Sequence, residues 1–312
     1  MLINKNLPTV GIKSSYFEKL AEKFINLCYN NIREAGDKIM SEEFLSPKTD
    51  IIFKLLFGDE RSVEMLTDFL KSVLRIPAEE YDEVTIVDPH LLREYDGDKL
   101  GILDVKIKTK TKKVIDIEIQ VKPSKAMKER VIFYSSKMVA EQVGSGNKYH
   151  RIKRVISIII TDYPLITESP KYHHRFVLYD PENGVEFTDI IEVNTLELTK
   201  LPEAEDGTEL WNWLKFLSAE RKEDLEMIAA KSPQVKKAVV RLMELSSDER
   251  TRLLYESRQK MEWDNQAREH EARNEERFII ARNLLSMNMP IETIVAATGL
   301  THEEIEELAN AD

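Results

Sequence analysis

The sequence predicts an α/β fold, a mixed sheet flanked by helices, that gives way to an all-helical C-terminal region. Three stretches carry that reading. "ILDVKIKTKTKKVIDIEIQV" (102–121) alternates apolar and polar residues on either side of a basic turn, the pattern of two hairpin-paired strands. "RVISIIITD" is nearly continuous and β-branched, as suits a strand buried on both faces. Beyond "LTKLP" the strand signal disappears, and helix formers with alternating charges take over.

Residues 1–39 read as an N-terminal helical extension, with Phe17, Leu20, Phe24 and Leu27 at helical spacing. The core domain is assigned to 40–205. In "DERSVEMLTDFLKSVLRI", Val63, Leu66, Phe69, Leu70, Val73 and Leu74 share one helical face, and Pro77 ends the helix. "EVTIVD" is a short strand, followed by the two strands of 102–121, the second stopped by Pro123. A helix from about 126 to 143 holds Met127, Val131, Tyr134, Met138 and Gln142 in register, and "GSGN" terminates it. "HHRFVLYD", the turn "PENG" and "VEFTDIIEV" form a further hairpin. A three-stranded meander, a crossover helix and a buried strand together make the mixed sheet. Residues 206–288 form a charged helical region. Residues 277–312 form a small helix-turn-helix-like tail around "TGLT".

No apolar run approaches the roughly 18 residues of a membrane span, and the N-terminus lacks the apolar core of a secretory signal. The single cysteine, Cys28, excludes an internal disulfide framework and a cysteine zinc site. A cytoplasmic protein with no membrane partner is expected. The formal net charge of -11 excludes a molecule coated with nucleic-acid-binding surface, but not a local basic site. Residues 99–130 hold nine lysines and one arginine against Asp104, Asp116, Glu118 and Glu129, a local excess of +6.

Side chains alternate along a strand, so Asp104 and Lys106 share one face, as do Asp116, Glu118, Gln120 and Lys122. A pivot near Thr111 sets 104 opposite 118 and 106 opposite 116, which lets Lys106 pair with Asp116. Asp104 and Glu118 repel one another and need a cation between or beside them. Two carboxylates near a strand carbonyl suit Mg²⁺, which can activate water and stabilise charge on a phosphodiester. Gln120, one pleat further on, is placed to orient that water, and Lys122, Lys128 or Arg130 to hold phosphate. Pattern alone favours the plainer reading, a solvated sheet face.

"SPKTDIIFKLLFG" followed by a helix, then "LDVKIKTKTKKVIDIEIQ", "RVIFYSSKM" and "GNKYHRIKRVISIIITD", in this order, resemble the PD-(D/E)XK nuclease superfamily. More narrowly, they resemble its bacterial recombination-promoting nuclease and transposase family. The resemblance spans residues 44–200, and the later "ARNLL…TGLT" tail is similar to tails in that family. It implies a restriction-endonuclease-like core whose meander carries a divalent-metal site for Mg²⁺ (or Mn²⁺). By that resemblance Asp104 is the aspartate of the second strand, and Glu118 is the acid of an E-x-Q variant. The backbone carbonyl of Ile119 completes the metal's inner shell. Gln120 stands where the wider superfamily has lysine, and Lys122 is the in-strand cation available to compensate. The implied activity is a metal-dependent DNA endonuclease of low sequence specificity, linked to recombination or mobile DNA. The alternative left open is a weakly active or inactive nuclease-fold protein that acts as a protein-interaction module.

Other features are weighed on the residues themselves. Glu64 is either a metal-approaching acid or a solvent-facing helix residue, the second being the plainer reading. Arg130 and Tyr134, one turn apart, can contact phosphate and base or sugar respectively, while Tyr134 suits helix packing equally well. His173 and His174 point to opposite faces of a strand and cannot share a metal there. Trp211 and Trp213 suit core anchors better than a base-stacking platform. The tail's "HEEIEELANAD" has no lysine or arginine, so phosphate repulsion makes it a poor recognition helix, and protein contact or homodimerisation through the helical region suits it better.

Overall fold

The fold is that of a computed structural model, which describes residues 44–90, 103–143 and 148–310. The expected helix in 1–39 and the "GSGN" stop at 144–147 lie outside the described residues. The chain divides into two compact units, one ending at Ser247 and the other starting at Asp248.

The first unit runs α1 (Asp50–Phe57), α2 (Val63–Val73), β1 (Thr85–Val87), β2 (Val105–Lys108) and β3 (Val114–Gln120). It continues with α3 (Met127–Ala140), β4 (Val155–Thr161), β5 (His173–Asp180) and β6 (Val185–Glu197), then α4 (Glu209–Leu217), α5 (Lys222–Ala229) and α6 (Pro233–Ser247). The strands form one six-stranded sheet in the order β1-β2-β3-β4-β6-β5. Strands β1 to β3 are an antiparallel meander, β4 runs parallel to both β3 and β6, and β5 pairs antiparallel with β6. This is the expected α/β arrangement with a mixed sheet.

Each element follows from its apolar pattern. In α2, Met65, Leu66, Phe69, Leu70 and Val73 are buried on one face. Every residue of β4 is buried, as its unbroken β-branched run requires. Trp211 and Trp213 are core anchors. Trp213 packs among Phe57, Phe69 and Phe216, with its indole N–H donated to Asp68 at 2.9 Å. Helices α4 to α6 pack with α1 and α2, so the first part of the charged helical region belongs to the same unit as the sheet.

The β2–β3 register is the expected one, with Lys106 opposite Asp116 and Val105 opposite Ile117. Two expectations about this hairpin need correction. Its polar face is not solvated: Asp116 and Glu118 are only 1% and 3% exposed. The cause is α3, which lies over that face; Ser135 on the helix meets Ser157, the β4 neighbour of Asp116, at 2.8 Å. The opposite face of β3, with Ile115, Ile117 and Ile119, is also buried, and α1 packs against the same strand. Lys106 does not bond Asp116 either. Its ammonium reaches Glu141, beyond the end of α3, at 3.2 Å.

The second unit contains α7 (Glu249–Ser286), α8 (Ile291–Thr298) and α9 (His302–Asn310). Ala281, Ile294, Leu300, Ile305 and Leu308 form its small core. Gly299, with φ of 67°, supplies the left-handed residue that ends α8. Helices α8 and α9 lie on either side of the Gly299 turn, and α9 presents Glu303 and Glu304 in its first turn.

The turn between β2 and β3 is held by one buried acid. Glu80 accepts hydrogen bonds from the Thr109 hydroxyl at 2.6 Å, from Thr111 at its hydroxyl and N–H, and from the Lys113 ammonium. Burial alone would raise its pKa, but the bonds from Lys113, Thr109 and Thr111 win and lower it from 4.5 to about 2. A depressed carboxylate pKa stabilises the fold above the unfolded value, and that contribution is lost as pH falls toward 2. Glu80→Gln is therefore expected to cost about 2 kcal/mol in urea unfolding at pH 7. The difference from the parent should shrink as pH falls below 4.5. An unchanged midpoint at pH 7 would contradict the assignment.

Candidate active site

The β2–β3 pairing ends at Val105 opposite Ile117, and Asp104, the residue just before β2, lies close enough for its charge to act on Glu118. The two acids do not touch as a bare pair; each holds its own cation. Asp104 accepts the Ile119 N–H at Oδ2, 2.9 Å away, and the Lys54 ammonium at Oδ1, 3.0 Å away. Glu118 accepts the Arg130 guanidinium at Oε2, 2.9 Å away. The cation anticipated between or beside the acids is thus two cations, one from each neighbouring helix.

Local sequence explains why both reach the sheet. In α1, Ile52, Phe53, Leu56 and Phe57 are fully buried, which leaves Lys54 on the flank of a largely apolar helix. In α3, Met127, Val131, Ser135 and Met138 are buried, and Arg130 lies beside that buried row. The Lys54 and Arg130 side chains are 39% and 41% exposed, against 15% for Asp104 and 4% for Glu118. The acids are therefore sunk in the sheet, and the cations form the rim.

Burial dominates the electrostatics. Desolvation pushes the Glu118 carboxyl upward, the Arg130 charge opposes this, and the Asp104 charge adds to it. Asp116 is raised well above the usual carboxylate range by desolvation first, then by the charges of Glu118 and Asp104. Glu118 Oε1 and Asp116 Oδ1 are buried with no hydrogen-bond partner among the described residues. Unmet oxygens of this kind cost free energy unless a proton or cation meets them.

The anticipated residues separate into three groups. Asp104, Glu118, the Ile119 backbone and Arg130 come together. Tyr134 lies beneath Arg130, 5.8 Å from guanidinium carbon to ring centre, and packs against Leu103, Val114, Met138 and Val155. Gln120 is half-buried, and its amide donates to the Lys122 carbonyl at 3.2 Å, turned along its own strand end. Lys122 and Lys128 are exposed. Glu64 is away from the cluster: it is exposed and paired with Lys237 at 2.7 Å and Gln234 at 3.1 Å. Two residues were missed. Lys54 sits in the quoted "DIIFKLLF", where a lone charge inside an apolar run was the available signal. Asp116 had been given to Lys106 as a surface partner.

No group of three or more His, Cys, Asp or Glu side chains among the described residues is arranged to hold a metal by itself. A smaller donor set is present. Mg²⁺ accepts one or two carboxylates and completes its shell with water and substrate oxygens. Asp104 and Glu118 fit that requirement. Strand geometry also turns the Ile119 carbonyl to the same side as its N–H, the side of Asp104. The orphaned Glu118 Oε1 is the atom that most needs such a partner.

A family model described as PD-(D/E)XK nuclease family transposase matches residues 47–272. The chain belongs to this family. The PD-(D/E)XK match takes in α1 with Lys54, the meander with Asp104 and Glu118, α3 with Arg130, and the helices through the first part of α7. It therefore runs well past residue 200, where the resemblance read from the sequence stopped. No curated protein and no solved structure matches the chain.

The sign of the Asp116 shift leads to a stability test. An acid whose pKa is raised on folding weakens the fold progressively as pH climbs from the unfolded value toward the folded one. In metal-free buffer Asp116→Asn is expected to raise the melting temperature at pH 8 by roughly 2–4 °C, about 1 kcal/mol for a unit of this size. The gain should shrink toward pH 4.5. A lowered melting temperature at pH 8 would show that the Asp116 charge is satisfied in the fold.

Proposed function

We propose that the protein is a metal-dependent DNA endonuclease that hydrolyses phosphodiester bonds with low sequence specificity. Asp104 and Glu118 hold Mg²⁺ or Mn²⁺, with the Ile119 carbonyl beside them. The observation that carries this reading is half-buried Asp104 beside buried Glu118 at the end of the β2–β3 pairing, rimmed by half-exposed Lys54 and Arg130. Membership of a nuclease family supports DNA as the substrate, and the family's transposase description supports a link to recombination or mobile DNA. When bound, a divalent ion supplies Lewis acidity and a more acidic water.

The chain's own residues have distinct tasks in this reading. Without a divalent ion the two carboxylates and two rim cations balance, since each acid already faces one opposite charge. An added dication leaves the cluster with positive charge in excess, the condition for capturing a phosphodiester. The Arg130 charge opposes the desolvation of Glu118 and aims its carboxylate, and Tyr134 supports Arg130 from below. Gln120 orients the attacking water once its amide leaves the Lys122 carbonyl. Exposed Lys122, Lys125 and Lys128 lie between β3 and the first turn of α3, suited to backbone contacts that read no sequence. The acidic α9 is a poor groove reader, which supports low specificity. No described helix is long and apolar enough to cross a membrane.

The test is cleavage of supercoiled plasmid by purified protein with Mg²⁺ or Mn²⁺, beside Asp104→Ala and Glu118→Ala. Nicking is expected from the parent, with losses of about a hundredfold or more in each variant. Cleavage that persists in both variants would reject the site assignment.

A further inference from the structure

We infer that Lys54, from helix α1, supplies the cation that strand position 120 lacks, placing the phosphate-facing ammonium of this site on a helix and not on β3. The inference rests on the nuclease reading above. Position 120 carries an amide, and that amide is spent on the Lys122 carbonyl at 3.2 Å. Of the two cations at the acids, Arg130 is committed to Glu118 and stacked on Tyr134. Lys54 is differently placed. It meets Asp104 at Oδ1, the oxygen not taken by the Ile119 N–H, and its side chain remains 39% exposed. Its helix is held by four fully buried apolar residues, so the base of the lysine is fixed while its tip stays at the rim. A compact ammonium with three donors can keep one bond to Asp104 and turn another toward a bound phosphate.

In hydrolysis, water adds to phosphorus as the bond to the leaving oxygen breaks. One water proton ends on the departing alkoxide, giving an alcohol and a phosphate monoester. The ammonium of Lys54 gives up no proton in this step. It donates a hydrogen bond to a non-bridging oxygen as charge accumulates there, the kind of contact that strengthens toward the transition state.

The experiment uses the full chain and three variants: Lys54→Met, Gln120→Lys and the two combined. Plasmid cleavage and calorimetric Mn²⁺ binding are measured on each, with circular dichroism to verify folding. Lys54→Met is expected to lose about a hundredfold in cleavage, a scale typical of one transition-state donor. It should bind Mn²⁺ at least as tightly as the parent, because Asp104 loses a competing cation. Restoring a lysine to the strand in the double variant is expected to recover about tenfold or more of the lost rate. A purely structural lysine would not be rescued from position 120. Cleavage by Lys54→Met within about threefold of the parent, loss of its Mn²⁺ binding, or a Lys54→Met loss as large in the Gln120→Lys background as in the parent would each overturn the inference. If the parent itself does not cleave, the nuclease reading falls and the inference with it. If the parent cleaves and Lys54→Met cleaves equally, only the inference falls.

Discussion

Three carboxylates on one face of a buried sheet set the central constraint of this fold. Asp104, Asp116 and Glu118 stand within electrostatic reach of one another, and the last two are almost wholly removed from water. Buried like charges are expensive, and the structure meets that cost with cations from outside the sheet. Lys54 comes from α1 and Arg130 from α3, so the two helices that flank the hairpin are each tied to it by an ion pair. Lys106 is drawn away to Glu141 beyond the end of α3, which ties the same helix to β2 as well.

That arrangement balances Asp104 and Glu118 and leaves part of the cluster unmet. The orphaned oxygens of Glu118 and Asp116 are a place where the fold gives up stability, and such places gather at functional sites. The rest of the first unit makes the strain tolerable. A fully buried β4, the aromatic cluster around Trp213 and the Glu80 hub at the hairpin turn hold the β2–β3 register that brings Asp104 up to β3.

Much of this was legible in the chain. Alternation in 102–121 yields both the strands and their register, because a pivot near Thr111 leaves little freedom, and the left-handed Lys112 makes the turn there. The β-branched run of β4 and the apolar face of α2 were equally plain. What alternation does not reveal is the medium on the polar face. Asp104, Lys106 and Glu118 read the same whether that face meets water or a helix that brings an arginine. Only α3 decides it, through the contact of Ser135 with Ser157. Lys54 was hidden for two reasons: α1, at eight residues, is too short for a firm period, and its partner lies far along the chain. Glu64 is the solvent-facing helix residue that the plainer reading made it, and the sequence does not reveal its exposed partner, Lys237 of α6.

The central claim is that a divalent cation joins Asp104 and Glu118, with Lys54 still held at Asp104 and Arg130 at Glu118 on the rim. A crystal of the protein soaked in Mn²⁺ and measured for anomalous scattering tests this most directly. The account expects a single strong peak within ~2.2 Å of a carboxylate oxygen of each residue, with the Lys54 ammonium still bonded to Asp104. A fully soaked crystal with no peak between the two acids would contradict it.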